Sequence, residues 1–165
     1  VITAALLVAS GIAVAQVPVS RYELLYQGEE VLDKETRLIW RRCANGMQRA
    51  QDRCAGKPSG NGGIDNDLLR RGRETPWRVP TQAELLSLVL QPNPGQDRSK
   101  AVVDEAAFPD TPRDKFVAKG MRGDVMPYVD FSTGQPGESR PLFRYPLRFV
   151  RDAPGNPQSG KRQDQ

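Results

Sequence analysis

Alternating apolar and polar residues near the start of the chain predict three short strands. Residues 22–26 and 30–32 form the first two, and residues 37–41 form the third, in which Leu38 and Trp40 alternate with other residues. A polar run between the second and third strands provides turn residues. We therefore predict an antiparallel meander.

A second alternating pattern lies near the end of the chain. Residues 126–132 predict a strand, residues 133–137 a turn, and residues 142–150 a closing strand. Phe143, Tyr145, Leu147 and Phe149 would share one face of that closing strand. Pro146 lies within it, which favours an edge position or a bulge because proline cannot donate a backbone hydrogen bond.

The clearest helix signal follows Pro80. Thr81 is placed as the N-cap, and Glu84 completes a Thr-x-x-Glu capping box. The apolar residues at positions 85, 86, 88 and 89 give one face to bury, and Pro92 marks the end of the element. We expect Trp77 to pack beneath this helix as a core residue, with sugar stacking as the alternative.

The remaining segments give weaker signals. Residues 43–63 predict a loop, residues 65–71 a short helix, and residues 101–109 either a helical turn or a loop.

The two ends of the chain differ from its middle. Residues 1–15 are uncharged and apolar and end in Ala13-Val14-Ala15, which predicts a signal peptide truncated at its start, with cleavage after Ala15. A membrane anchor is the weaker alternative, because about 20 apolar residues are needed to span a bilayer. We expect a folded domain over residues 20–150. Residues 151–165 contain no large apolar side chain and predict a disordered tail.

Cys43 and Cys54 are the only two cysteines. In an exported protein this pair predicts a disulfide, and the spacing excludes a redox Cys-x-x-Cys motif. Two unpaired structural thiols are the alternative.

Arginine supplies most of the basic charge, which totals 24 Lys and Arg against 20 Asp and Glu. The planar guanidinium suits sulfate, phosphate and carboxylate groups. Three clusters stand out: Arg37, Arg41, Arg42, Arg49 and Arg53; Arg70, Arg71 and Arg73; and Arg140, Arg144, Arg148 and Arg151. The alternative is that acidic neighbours neutralise most of this charge. A net charge of +4 in an exported protein argues against nucleic acid as a partner.

Several chemistries have no support in the residues. The chain has no histidine, which excludes Ser-His-Asp and Cys-His catalysis and histidine-ligated zinc. Neighbouring acids such as Asp65 and Asp67 are expected on the surface or at caps. Asn93 and Asp97 offer oxygen ligands but no calcium cage. We therefore expect no enzyme activity, no cofactor and no metal.

The order of elements resembles the Lcl C-terminal domain family, a family of unknown function found in exported bacterial proteins. Four segments carry the resemblance: residues 21–22; Val31, Asp33, Thr36, Leu38, Trp40, Arg42 and Cys43; Trp77, Arg78, Val79, Pro80, Thr81, Glu84 and Leu85; and residues 128–131 with 149–151. The third segment is also similar to the helix entry of formylglycine-generating-enzyme-like domains, which have a C-type-lectin-like fold. The resemblance implies an α+β, C-type-lectin-like domain: a small antiparallel sheet with one or two short helices and long loops.

The family resemblance implies adhesion-like or surface roles. We therefore expect an exported, periplasmic or extracellular, non-enzymatic binding module for anionic glycans or envelope components. The alternative is a structural or accessory subunit of an envelope assembly that pairs through the edge near Tyr145. The candidate binding residues are Arg41, Arg42, Arg49, Arg53, Arg144 and Arg148, while Trp77, Thr81 and Glu84 are expected to be structural.

Overall fold

The computed structural model describes residues 20–60, 76–91, 99–140 and 145–156. The predicted signal peptide, the predicted helix at 65–71 and Arg144 lie outside these residues. The elements in chain order are β1 (Tyr22–Leu25), a 3-10 turn η1 (Tyr26–Gly28), β2 (Glu30–Asp33), β3 (Leu38–Arg41), β4 (Gln48–Ala50), β5 (Arg53–Ala55), α1 (Gln82–Leu86), β6 (Lys115–Val117), β7 (Met126–Asp130), β8 (Gln135–Ser139) and β9 (Val150–Asp152).

The predicted meander is confirmed as a four-stranded antiparallel sheet in the order β1-β2-β3-β9. Its inner face carries a row of fully buried side chains, because Val31 pairs with Trp40 and Trp40 pairs with Val150 across the strands. Alternation along each strand sends the intervening residues to the opposite face. The apolar positions of the sequence pattern therefore fix which face meets the core.

An ion pair between the half-buried Arg21 and the buried Asp33 joins this sheet to the end of the helix. Arg21 donates from Nε to Asp33 Oδ1 at 2.9 Å and from Nη2 to the carbonyl of Ser87 at 2.8 Å. Asp33 is fully buried and also accepts from the backbone N–H of Glu35 at 3.0 Å, which closes the β2–β3 turn. Burial acts to raise the pKa of Asp33, but the hydrogen bonds to its carboxylate outweigh this and the pKa is lowered.

The capping box at Thr81 is confirmed, and Glu84 does more than cap the helix. Its carboxylate accepts from the backbone N–H of Thr81 at 2.8 Å and from both terminal nitrogens of Arg78 at 2.7 and 2.8 Å. Arg78 is also bound to β9 through two backbone hydrogen bonds with Val150. One carboxylate thus fixes the helix start and the chain leading to it.

Helix α1 is shorter than the apolar stripe predicts. It ends at Leu86, although Leu88 is also buried, because the backbone N–H of Leu90 bonds to the carbonyl of Val102. The helix packs against the second sheet, where the Gln82 side chain donates to the carbonyls of Tyr128 and Gly137 at 3.0 and 3.1 Å.

The second sheet has three antiparallel strands in the order β6-β7-β8. The sequence predicted strand β7 but not β6. The predicted turn at residues 133–137 is wrong from residue 135 onward. The turn closes earlier, since the backbone N–H of Gly134 bonds to the carbonyl of Asp130 at 2.6 Å, and the chain continues as β8. Gly137 gives the Tyr128 ring room, because a Cβ there would lie 2.5 Å from it.

One core joins the two sheets and the helix. Its fully buried members include Val31, Trp40, Leu85, Phe116, Val129 and Phe131. Residues 101–109 form a hydrogen-bonded turn, in which the backbone N–H groups of Ala107 and Phe108 bond to Asp104. The architecture of the described residues is α+β, with small antiparallel sheets and one short helix.

Three sequence predictions need correction. The predicted loop at 43–63 contains the hairpin β4–β5, which is mostly polar and buries Cys54 on its second strand. The predicted closing strand at 142–150 forms no strand over its described residues 145–149, apart from a bridge at Pro146; the strand begins at Val150. The folded structure also extends beyond residue 150, into the predicted tail, because the buried Asn156 side chain donates to the carbonyl of Arg37 at 2.9 Å.

Trp77 does not join the core cluster beneath the helix. It is partly exposed, and its ring contacts the guanidinium groups of Arg41, at 4.3 Å, and Arg151, at 5.2 Å. Both arginines belong to strands β3 and β9, so Trp77 covers the outer face of the first sheet. The cation–π contacts explain how a tryptophan is held there without full burial.

The described residues include no helix long and apolar enough to cross a membrane.

Candidate functional site

The predicted disulfide between Cys43 and Cys54 is present, with the two Cα atoms 5.5 Å apart. It joins the end of β3 to β5 and holds the hairpin β4–β5 against the rest of the domain. The surface around this hairpin is where the sequence places most of the candidate arginines.

Arg42 does not face solvent, contrary to its prediction as a binding residue. It is buried, and its guanidinium donates to the carbonyls of Ala106, Ala107 and Asp52 at 3.2 to 3.3 Å. These carbonyls belong to two different loops, which Arg42 ties to β3. Its role in this structure is to satisfy buried backbone acceptors.

Arg148 is also buried and is likewise unsuited to direct ligand contact. It donates to the carbonyls of Arg41 and Arg42 and to Thr111 Oγ1, and it lies 4.8 Å from the centre of the Phe108 ring. Burial lowers the pKa of Arg148 to about 9, so the guanidinium stays protonated at neutral pH. The alternating pattern of residues 142–150 hid this, because it predicts Arg148 on the polar face.

Arg41 occupies a different surface from the hairpin. Its side chain is 43% exposed, stacks on Trp77, and lies 3.8 Å from the Glu30 carboxylate. Glu30 also accepts from Arg151 at 2.7 Å. Arg41 is accessible, but its charge is shared with an acid and a ring on the outer face of the first sheet.

Arg49 and Arg53 lie on the hairpin but leave it on opposite sides. Arg49 pairs across the strands with the buried Cys54, while Arg53 pairs with the exposed Ala50. Because alternate residues of a strand point to opposite faces, the two arginines do not converge. Arg49 bonds to Glu29 at 3.3 Å, and Arg53 forms a two-pronged ion pair with Asp110.

Arg53 lines a surface groove of about 490 Å³. We call it the Arg53 groove and define it by its charged rim, which is Arg53, Lys100, Glu105, Asp110 and Arg113. Phe108 and Thr111 contribute to its floor, and the same two residues contact Arg148 from below. The buried arginine therefore supports the groove without entering it.

Four of the five charged residues of the Arg53 groove form ion pairs with one another. Arg53 bonds to Asp110, which also accepts from the backbone N–H of Cys54 at 2.9 Å, and Lys100 bonds to Glu105. The Arg53 hydrogen bond lowers the pKa of Asp110, so the pair stays charged at neutral pH. Arg113 is exposed and has no ion pair within the described residues, which leaves one cation in excess.

Sequence reasoning missed Lys100 and Arg113. Both flank the irregular segment at 101–109, where no periodic pattern predicts which side chains are buried. Arg113 also lies 60 positions after Arg53 along the chain. Only the turn that brings Asp110 to the hairpin places them together. That turn includes an unusual backbone, because Asp110 has φ +53°.

A second groove of about 420 Å³ lies beside the start of helix α1. Gln82, Lys119, Met121, Arg122 and Glu138 line it, and Arg122 lies 3.6 Å from Glu138. Within the part of the chain that the structure describes, no group of three or more Cys, Asp or Glu side chains is placed to hold a metal ion.

These features define a disulfide-bonded α+β domain whose long loops are pinned by buried arginines and carry a charged groove. The chain belongs to the Lcl C-terminal domain family, whose family model matches residues 29–151. Comparison with curated proteins and with solved structures gives no match. The matched residues include all five charged residues of the Arg53 groove.

Proposed function

We propose that this protein is an exported, non-enzymatic binding module for anionic glycans or other anionic envelope components. The observation that carries the proposal is the Arg53 groove, where Arg53, Lys100 and Arg113 outnumber Glu105 and Asp110. Export is supported by the apolar N-terminal sequence and by the disulfide. A C-type-lectin-like fold is part of the same proposal and is supported by the family resemblance.

The ion pairs in the groove leave it able to accept an anionic ligand. The side chains of Arg53, Lys100 and Glu105 are 69%, 52% and 47% exposed. The exposed Lys100–Glu105 pair contributes roughly 0–1 kcal/mol, so little free energy is lost when a ligand sulfate or carboxylate takes the place of the Glu105 carboxylate. Arginine can hold such a group by two parallel hydrogen bonds.

Retention on an immobilised heparin-type polysaccharide tests the proposal. We expect the full chain to be retained at low salt, and Arg53→Ala and Arg113→Ala to elute at lower salt than the parent. Arg122→Ala is the matched control, since Arg122 is 84% exposed and lies on the second groove.

No retention of the parent at low ionic strength would remove the polyanion version of the proposal. Equal losses in all three variants would show that net charge, and not the groove, causes retention.

The alternative role as a subunit of an envelope assembly receives less support from the geometry. It depends on the edge near Tyr145, and the hydroxyl of this residue lies 3.2 Å from Ser139 Oγ on β8. The Tyr145 ring also packs 5.9 Å from that of Tyr128. Strand β8 itself carries Pro136 and Glu138, which are residues that protect a sheet edge against pairing.

A further inference from the structure

A buried cation lies directly behind the floor of the Arg53 groove. Arg148 is 1% exposed, and its guanidinium donates to Thr111 Oγ1 at 2.8 Å and lies 4.8 Å from the centre of the Phe108 ring. Phe108 and Thr111 both line the groove. One layer of side chains therefore separates the charge of Arg148 from a group bound in the groove.

Arg148 has no acidic partner within the part of the chain that the structure describes. Its other hydrogen bonds go to the carbonyls of Arg41 and Arg42, and its Nε atom bonds to no described group. Burial lowers the pKa of Arg148, and no carboxylate among the described residues acts to raise it. Arginine is almost never fully buried unless it is paired, because an unbalanced charge in a protein interior is unfavourable. The positive charge of Arg148 is therefore unusual for a residue that only supports the fold.

The hydrogen bonds of Arg148 do not require its charge. Its acceptors are neutral oxygens, which need donors but no net charge. Its position also sets it apart from Arg42, which is buried too, because the carbonyls of residues 52, 106 and 107 that bind Arg42 do not belong to the lining of the groove. Arg113 leaves the rim one cation in excess, and Arg148 adds a second cation behind the floor. The groove is therefore more positive than its surface residues indicate.

We infer that Arg148 sets the charge preference of the Arg53 groove, so that the groove favours a doubly charged oxyanion such as a phosphomonoester over a singly charged sulfate ester or carboxylate. This inference rests on the proposed function and names the anionic group that the groove prefers. The attraction of a cation is proportional to the charge of the ligand, and water and salt screen it less when the cation lies in the protein interior. Arg148 acts through its electric field and does not contact the ligand.

Binding of glucose 6-phosphate and glucose 6-sulfate at pH 7 tests the preference, because the two probes share one sugar and a tetrahedral anionic group but differ in charge. The phosphate carries about 1.5 to 2 negative charges at this pH, and the sulfate ester carries one. We expect the parent to bind the phosphate about 3- to 10-fold more tightly than the sulfate. Equal affinity for the two probes, or tighter binding of the sulfate, would overturn the inference.

Arg148→Gln separates the charge of this residue from its hydrogen bonds, since glutamine is neutral and keeps an amide donor for the buried carbonyls. Affinity for the sulfate should fall about 3-fold and affinity for the phosphate about 10-fold, because the lost attraction nearly doubles with the charge of the probe. A distorted groove would lose both probes by the same factor, and that result would contradict the inference. Arg122→Gln is the matched control and should change neither affinity, since Arg122 is 84% exposed and lines the second groove.

A measurement on the parent keeps the inference testable if thermal unfolding shows that Arg148→Gln does not fold. The side-chain Nε–H groups of arginine give NMR signals in the nitrogen-15-labelled chain, and the Arg148 signal is distinctive because its guanidinium lies against the Phe108 ring. Titration with glucose 6-phosphate should shift this signal with the midpoint of the binding curve. An Arg148 signal that does not move at saturation would rule out an effect of its charge on the bound probe.

The outcomes distinguish this inference from the proposed function. Retention of the parent on the heparin-type polysaccharide without a preference for the phosphate, or without binding of either probe, would overturn this inference alone. A parent that is not retained and binds neither probe would overturn the proposed function, and the role of Arg148 with it.

Discussion

At the scale of the residue, identical side chains have different roles because their partners lie far apart in sequence. Arg42 and Arg148 are buried and bind backbone carbonyls, whereas Arg53 and Arg113 face solvent. The sequence predicts all of them only as basic. Burial of Arg42 depends on acceptors about sixty residues away, at Ala106 and Ala107, and no local pattern reports that contact.

Asp33 makes the acid stability of the domain predictable. Its pKa in the folded state is lower than the ordinary value of 3.8, so the unfolded chain binds the proton more readily. Its contribution is therefore complete above about pH 5 and is lost as the pH falls below 3.8 and through the folded pKa. Asp33→Asn, which removes the buried partner of Arg21 and leaves only the exposed Glu35, should cost about 3 kcal/mol at neutral pH.

Urea unfolding at pH 7, pH 5 and pH 3 measures this contribution. The difference in unfolding free energy between the parent and Asp33→Asn should shrink at pH 3. Glu35→Gln is the control, because Glu35 also lies near Arg21, at 3.2 Å, but is 68% exposed. A difference that stays constant with pH would show that the carboxylate charge of Asp33 does not stabilise the fold.

At the scale of the element, local signals succeed where the interaction closes within a few residues. The capping box of Thr81 and Glu84 spans one helical turn, and the sequence predicts it correctly. The hairpin β4–β5 was missed because its strands are three residues long and mostly exposed, so no apolar alternation marks them. Tertiary bonds from the Cys43–Cys54 disulfide and Asp110 hold it instead.

Removal of the disulfide should weaken both the fold and the Arg53 groove. A double Cys43→Ser, Cys54→Ser variant should lose about 3 kcal/mol of stability, by the chain-entropy model for a short loop. It should also elute from the polysaccharide at lower salt. The backbone N–H of Cys54 and the side chain of Arg53 both bond to Asp110, so a loosened β5 would disturb the groove. Chemical unfolding and the retention assay measure the two effects.

The reductant dithiothreitol supplies the control for the disulfide prediction. It should shift the parent toward the behaviour of the double variant and leave the double variant unchanged. A double variant with parent stability and parent retention would show that the hairpin is held without the bridge.

At the scale of the whole molecule, the family, the meander, the helix start and the disulfide follow from the sequence, and the groove does not. The groove joins β5 to the turn around Asp110, two segments whose contact depends on how the two sheets share one core. The arginine clusters that looked continuous along the chain are divided in space: Arg41 lies on the outer face of the first sheet, and Arg49 and Arg53 leave the hairpin on opposite sides.

This division predicts a shallow salt dependence for polyanion binding. Each ionic contact to a polyanion adds roughly one to the slope of log affinity against log salt concentration. The Arg53 groove offers three cations, two of which already have acidic partners, so the slope for the parent should lie between about 1 and 3 in magnitude. Arg113→Ala should lower it by about 1, and Arg122→Ala should leave it unchanged. A slope above about 5 that Arg113→Ala does not change would instead require binding across several faces, and the groove would then not be the site.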